Sequence, residues 1–204
     1  GFVAPPGFSS SVDGVWADNR GADGPAVPQW NPLFTDDLSN AECPAGSWSV
    51  ANGILKANGT GATLWTKKDY GDVSLTFEFR VGENANSGVF LRSGDTSKVL
   101  AALEIQVHES ADSALYGEVG SIYNAKAPAR RMARPTGEWN RFTLTCRGSQ
   151  VSLIFNGEEV YAVDLEDWKE ARRNPDGTAN KFPVALREFS RRGPIGLQGL
   201  HGKA

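Results

Sequence analysis

The chain reads as an all-β protein, a jelly-roll sandwich of two antiparallel sheets with one short helical insertion. Three observations predict this. From Trp30 onward, short β-patterned runs follow one another between clusters of turn residues, the spacing of a sandwich. Two Asn-Gly pairs, Asn52-Gly53 and Asn156-Gly157, stand between such runs and are strong hairpin signals. Apolar and polar residues alternate with period two through VSLTFEFRV and LEIQVHE, and there is neither an internal repeat nor a regular strand-helix alternation.

Taken in order, residues 1–29 carry four prolines, five glycines and a serine cluster, and form an extended arm; residues 30–204 form the sandwich domain. SWSVANGILKA is a hairpin across Asn52-Gly53. LWTKKDYGD leads into a half-buried strand in which Val73, Leu75, Phe77, Phe79 and Val81 alternate with Ser74, Thr76, Glu78 and Arg80. NSGVFLRS puts Val89 and Leu91 on one face and Gly88, Phe90 and Arg92 on the other. LEIQVHE buries Leu103, Ile105 and Val107 and aligns Glu104, Gln106 and His108 on the opposite face. LYGEVGSIYNAKAPARRM is a long glycine-containing loop, and EWNRFTLTCRG and QVSLIFNGEEVYAVD are the next hairpins. Residues 165–192 interrupt the pattern: LEDWKEARR has helical composition, enough for one turn or two, and NPDGTANKF is turn-like. GPIGLQGLHGKA closes the chain as a short strand and a glycine-rich end.

The 204 residues, 40% hydrophobic and with six tryptophans, suffice for one large β domain with a sizeable core. Net charge is −3 with both signs interspersed, which argues against nucleic acid and anionic membranes as partners. No run approaches the roughly 18 apolar residues of a membrane-spanning helix, and the N-terminus lacks the layout of a secretory signal. Cys43 and Cys146 are too few for a disulfide framework and too far apart for a metal knuckle, and whether they pair is open. Cys146 alternates with Phe142 and Leu144 and reads as a buried thiol.

The chemistry-bearing residues centre on Glu104, Gln106 and His108. A carboxylate, an amide and an imidazole on one face provide an acid or base, a bidentate hydrogen-bonding group and a titratable ring. An ordinary solvent-facing strand would show the same alternation. His201, after Gln198, is the second of only two histidines. Arg92, on the Phe90 face, is placed to pair with Glu104 or to hold an oxyanion, with a structural salt bridge as the rival reading. Trp65, Tyr116, Tyr123 and Trp139 are aromatics near turns, suited to stacking on sugar faces or to capping a core, and Lys126 lies in the same loop as Tyr123. No phosphate loop, dinucleotide fingerprint, zinc motif or nucleophile elbow occurs, so no cofactor is called for. A divalent metal stays open, with Asp36 and Asp37 as acidic residues that no recognisable ligand spacing supports.

In this order, PLFTDDLSN, GSWSVANGILKA, LWTKKDYGDVSLTFEFRV, NSGVFLRS, LEIQVHE, GEWNRFTLTCRG, VSLIFNGEEV and GPIGLQGLHG resemble the 3-keto-disaccharide hydrolase domain family, over about residue 30 to the C-terminus. The resemblance implies a concanavalin A-like jelly roll and an exported, periplasmic or extracellular bacterial protein. It also implies cleavage of glycosides whose sugar has first been oxidised to a ketone at carbon 3. That substrate suits an elimination: a base removes the hydrogen on carbon 2, the enolate expels the glycosidic oxygen from carbon 1, and water adds later. On this reading Glu104 or His108 is the base, Arg92 stabilises the enolate, and the other member of the Glu104/His108 pair or His201 is the acid. Gln106 and Gln198 orient hydroxyls, and Trp65, Tyr116, Tyr123, Lys126 and Trp139 contact substrate. The family pattern carries a less basic residue at the place of His108, which leaves the choice of base open. Family domains also end with one more strand after the GPIGLQ-type segment. Here either the sheet lacks it, the chain is a piece of a longer one, or the proline-rich arm takes its place. The insertion forms either one rim of the cleft or a surface excursion.

The partner expected is therefore a carbohydrate or glycoside, bound either by an enzyme or by a non-catalytic, lectin-like module on the same fold. A structural domain that uses the arm as a docking strand is a third reading. A glycosidase with two carboxylates is the fourth, and it lacks an obvious second carboxylate, since Glu109 points away from the Glu104 face.

Overall fold

The computed structural model describes residues 30–59, 61–109 and 116–199, and the backbone of the segments Phe2–Val3 and Asp13–Trp16. The strands are β1 (Phe2–Val3), β2 (Asp13–Trp16), β3 (Asn31–Pro32), β4 (Ala41–Glu42), β5 (Trp48–Ala51), β6 (Ile54–Ala57) and β7 (Leu64–Thr66). They continue with β8 (Val73–Phe79), β9 (Asn86–Leu91), β10 (Leu103–His108), β11 (Asn140–Arg147), β12 (Gln150–Phe155), β13 (Glu158–Asp164) and β14 (Gly196–Leu197). One sheet has the order β13-β12-β11-β8-β1-β6-β5, with β2 joining β8 and β3 joining β2; the other has the order β10-β9-β14-β7-β4. Every pairing between these strands is antiparallel, as expected of a jelly-roll sandwich.

The period-two pattern explains the core. Phe77, Phe79, Phe142 and Phe155 project from the large sheet and are at most 4% exposed, with Phe79 and Phe142 ring centres 4.6 Å apart. Facing them in one buried cluster are Val89, Leu91, Leu103, Ile105, Val107 and Leu197 of the smaller sheet. Cys146 is buried with them, its thiol pushed up to about 11 by desolvation, and both cysteines are free thiols. At the two Asn-Gly hairpins both turn residues have positive φ, +54° and +71° at 52–53 and +49° and +93° at 156–157, as a type I′ turn requires. The arm supplies β1 and β2 to the β8 edge opposite β11, and β1 also pairs with β6.

The turn or two expected in the insertion is present in 3-10 form, while one other expectation needs correction. The helical composition of LEDWKEARR yields only a single 3-10 turn, Leu165–Asp167, and a second such turn, Leu186–Glu188, ends the insertion. Trp168 is 3% exposed and its Nε1 donates to Asn174 Oδ1 at 3.0 Å, so burial of this ring overrides a helix propensity that nine residues could not sustain alone. The alternation in NSGVFLRS stops at Leu91, because Arg92 has φ +51° and turns the chain out of the strand.

Candidate active site

The outer face of the smaller sheet carries the candidate site. Across it runs a row of directly opposed residues: Glu104 on β10 faces Phe90 on β9, which faces Gly196 on β14, then Trp65 on β7, then Glu42 on β4. On the far side of β10, the loop after residue 115 adds Tyr123, whose backbone N donates to the Glu104 carbonyl at 2.8 Å. One step along the strands, Gln106 faces Gly88, and the Gln198 backbone N donates to the Gly88 carbonyl at 2.8 Å. Glu104, Gln106 and Gln198 thus surround Gly88, and all three are largely buried.

Gly88 is what makes room for the acid. A Cβ at this position would collide with Glu104 Oε1 and stand 2.9 Å from its Cγ. The carboxyl lies at the surface of the sheet but is only 7% exposed, and this desolvation raises its pKa to about 7, partly opposed by the charge of Lys181. Gln106 Nε2 donates to Asn86 Oδ1 at 3.1 Å, while its Oε1 is buried without a hydrogen-bond partner. Gly196 has a parallel role: a Cβ there would be 2.6 Å from Cε3 of Trp65, so the bare backbone lets the indole lie across it and stack on Phe90 at 5.5 Å and 21°.

Of the residues expected in the site, Glu104, Gln106, Gln198, Tyr123 and Trp65 meet on this face. His108 shares it but stands four positions from Glu104, about 13 Å along an extended strand, too far for both to act on neighbouring atoms of one sugar. His201 lies outside the described residues. Arg92 does not pair with Glu104. It is 2% exposed, and its guanidinium donates to the Gly71 carbonyl (2.8 Å), the Gly148 carbonyl (2.6 Å) and Asp72 Oδ1 (3.2 Å), so its role is structural. Tyr116 and Lys126 line a separate cavity of about 300 Å³ against the insertion, where the Tyr116 hydroxyl donates to Asp176. Trp139 instead lies under the Arg80 guanidinium, 4.9 Å from its ring centre. The Asp37 carboxylate is spent on its own turn, accepting from the Ser39 amide at 3.0 Å. Among the described residues no three of His, Cys, Asp and Glu converge as metal ligands would.

Sequence reasoning missed two residues. Glu42 is a second carboxylate on the face, but four strands from Glu104, about 19 Å, beyond the reach of a two-carboxylate mechanism. Glu109 turns away, accepting from the Asn84 amide and the Thr136 hydroxyl. Lys181, in the turn-like part of the insertion, donates through Nζ to the Tyr123 hydroxyl at 3.0 Å. Only its spatial return to the 116–126 loop reveals it.

A sheet face with buried amides, a desolvated acid and stacked aromatic rings defines a carbohydrate-active β-sandwich, a class that the relatives share. The chain belongs to the family of 3-keto-alpha-glucoside-1,2-lyase-like domains, whose profile matches residues 16–204. It is 24% identical over 185 residues to the 3-keto-disaccharide hydrolase of Bacteroides thetaiotaomicron, an alignment covering 76% of this chain and 64% of that protein. The chain therefore spans just under two thirds of that relative's length. A Parabacteroides distasonis protein provisionally described as a glycosyl hydrolase has a crystal structure that superposes with a TM-score of 0.82 at 31% identity, covering 86% of this chain and 93% of that one. A second structure from the same organism, with the same description, gives 0.70 at 21% identity over 85% and 88%, a likeness of fold.

Proposed function

We propose that this chain cleaves glycosides whose sugar carries a ketone at carbon 3, by elimination followed by hydration, with Glu104 as the base. The observation that carries this is a buried carboxyl, raised to about 7 by desolvation, set between two amides beside an aromatic platform and about 19 Å from the other carboxylate on the face. A base poised near neutrality is what proton abstraction next to a carbonyl needs.

The chemistry follows from the ketone. Glu104 takes the proton from carbon 2, and the electron pair of that C–H bond passes into an enolate with its charge on the carbon 3 oxygen. When the ketone reforms, a double bond forms between carbons 1 and 2 and the bond from carbon 1 to the glycosidic oxygen breaks. The departing oxygen takes a proton, which the protonated Glu104 holds at hand. Addition of water across the double bond then puts hydroxyl on carbon 1 and hydrogen back on carbon 2. Gln106 and Gln198 flank the Glu104 carboxyl over Gly88, where they orient sugar hydroxyls, and Trp65 over Phe90 supports a ring face.

A non-catalytic sugar-binding module would use the same amides and aromatics but has no need of a desolvated acid. The deciding experiment incubates the protein with a 3-keto-glucoside and with its unoxidised parent and follows aglycone release. Release from the oxidised form alone is expected. Binding without release from either identifies a binding module, and equal release from both identifies an ordinary glycosidase.

A further inference from the structure

The elimination requires a cation or hydrogen-bond donor for the carbon 3 oxygen while it carries the enolate charge. With the Arg92 guanidinium committed to Gly71, Gly148 and Asp72, that group must come from elsewhere. We propose that Lys181, brought to the site by the 165–192 insertion and paired with Tyr123, is the catalytic cation that holds this oxygen. The inference rests on the reading of Glu104 as the base acting on a 3-keto sugar.

The geometry favours this residue. Tyr123 is the neighbour of Glu104 across the β10 edge, and Lys181 Nζ sits 3.0 Å from the Tyr123 hydroxyl and 5.2 Å from its ring centre. Because the Tyr123 oxygen accepts from Lys181, its own proton is left to donate elsewhere. An ammonium has three donors, and among the described residues only Tyr123 takes one, leaving two for a substrate oxygen. The Lys181 charge already reaches the Glu104 carboxyl, which it favours in ionised form. The same cation thus faces both the base and the place where charge develops.

Lys181 is exposed, as a group meeting substrate must be, but the backbone that carries it is held in place. Its backbone N donates to Asn124 Oδ1 at 2.6 Å, and the Asn124 carbonyl accepts from Asn174 Nδ2 at 3.2 Å. Asn174 Oδ1 in turn accepts from Trp168 Nε1 and from Asn180 Nδ2, at 3.0 and 2.9 Å, and Asn180 Oδ1 receives the Phe182 amide at 3.0 Å. Asn174 and Asn180 are 3% and 8% exposed, so this knot of asparagines is part of the packed interior. It positions the backbone on both sides of Lys181, the kind of support that a preorganised catalytic group needs. The insertion is therefore one rim of the site.

The test measures kcat and kcat/KM against pH on a 3-keto-glucoside for the wild type, Lys181→Met, Lys181→Arg and Glu104→Gln, with Tm for each. The titratable groups around Glu104 are Tyr123 from the loop, Lys181 from the insertion and, four positions along its own strand, His108. β9 and β14 present Asn86, Gly88, Phe90 and Gln198. Lys181→Met should lower kcat about 100-fold, the scale of losing one oxyanion partner, and move the rising limb of kcat/KM to higher pH. Lys181→Arg should recover most of kcat, and Tm should hardly move in either variant. If Lys181→Met keeps the wild-type kcat and limb while Glu104→Gln is inactive, the inference is overturned and the reading of Glu104 stands. If the wild type leaves the keto-sugar intact, both fall.

Discussion

The Glu104 carboxylate occupies the volume over Gly88 that a side chain on the neighbouring strand would fill. The acid is consequently dry on one side by contact with backbone, and the glycine is as much a part of the site as the carboxyl.

Gly88→Ala should therefore displace the carboxylate and leave the sheet standing. Overpacking of this kind costs about 1–3 kcal/mol. Turnover of a 3-keto-glucoside is expected to fall more than tenfold with only a modest drop in Tm. A fully active alanine variant would show that the carboxylate position is immaterial.

Glu104 should also leave a mark on stability. Its folded pKa of about 7 lies above the 4.5 of a free glutamate side chain, so the folded state binds the proton more tightly than the unfolded chain does. Stability then falls as pH rises from about 4.5 to about 7, by a total on the order of 3 kcal/mol. Glu104→Gln should raise Tm at pH 8 and leave it unchanged near pH 4, while lowering kcat about 10²–10⁴-fold. The wild-type kcat/KM should climb with pH through about 7 as the carboxylate forms.

Arg92→Met should produce the opposite pattern. Losing the donors to Gly71, Gly148 and Asp72 leaves two main-chain acceptors without partners, a loss of about 3 kcal/mol. Chemical denaturation should register it, whereas kcat per folded molecule should stay near wild type. A selective collapse of kcat would return Arg92 to the chemistry.

Gly196→Ala and Trp65→Ala both remove the indole from above Phe90. A sugar ring seated on the indole with the strength of an aromatic pair, about 0.5–1.5 kcal/mol, loses that contact, so KM should rise roughly two- to tenfold in each variant with kcat little altered. Titration with a non-hydrolysable sugar gives an independent measure.

The sandwich was legible because its strands are half-buried and alternate with period two, as in Val73–Phe79 and Leu103–His108. Glu104 and Gln106 could be set on one face from that alternation. Arg92 was misread because a single positive φ ends the alternation, and nothing in FLRS announces it. Glu42 and Lys181 escaped for a different reason: their neighbours are set by pairing of β4 with β7 and by the return of the insertion onto Asn124, contacts between residues far apart in sequence.

Arg92 ties the end of β9 in one sheet to Gly148, at the β11–β12 turn of the other, and to Gly71 and Asp72 at the entry to β8. It works as a rivet through both layers, and a riveted edge cannot slide. Opening the sandwich at that corner has to break these bonds, so the amides beside Arg92 should be among the slowest to exchange.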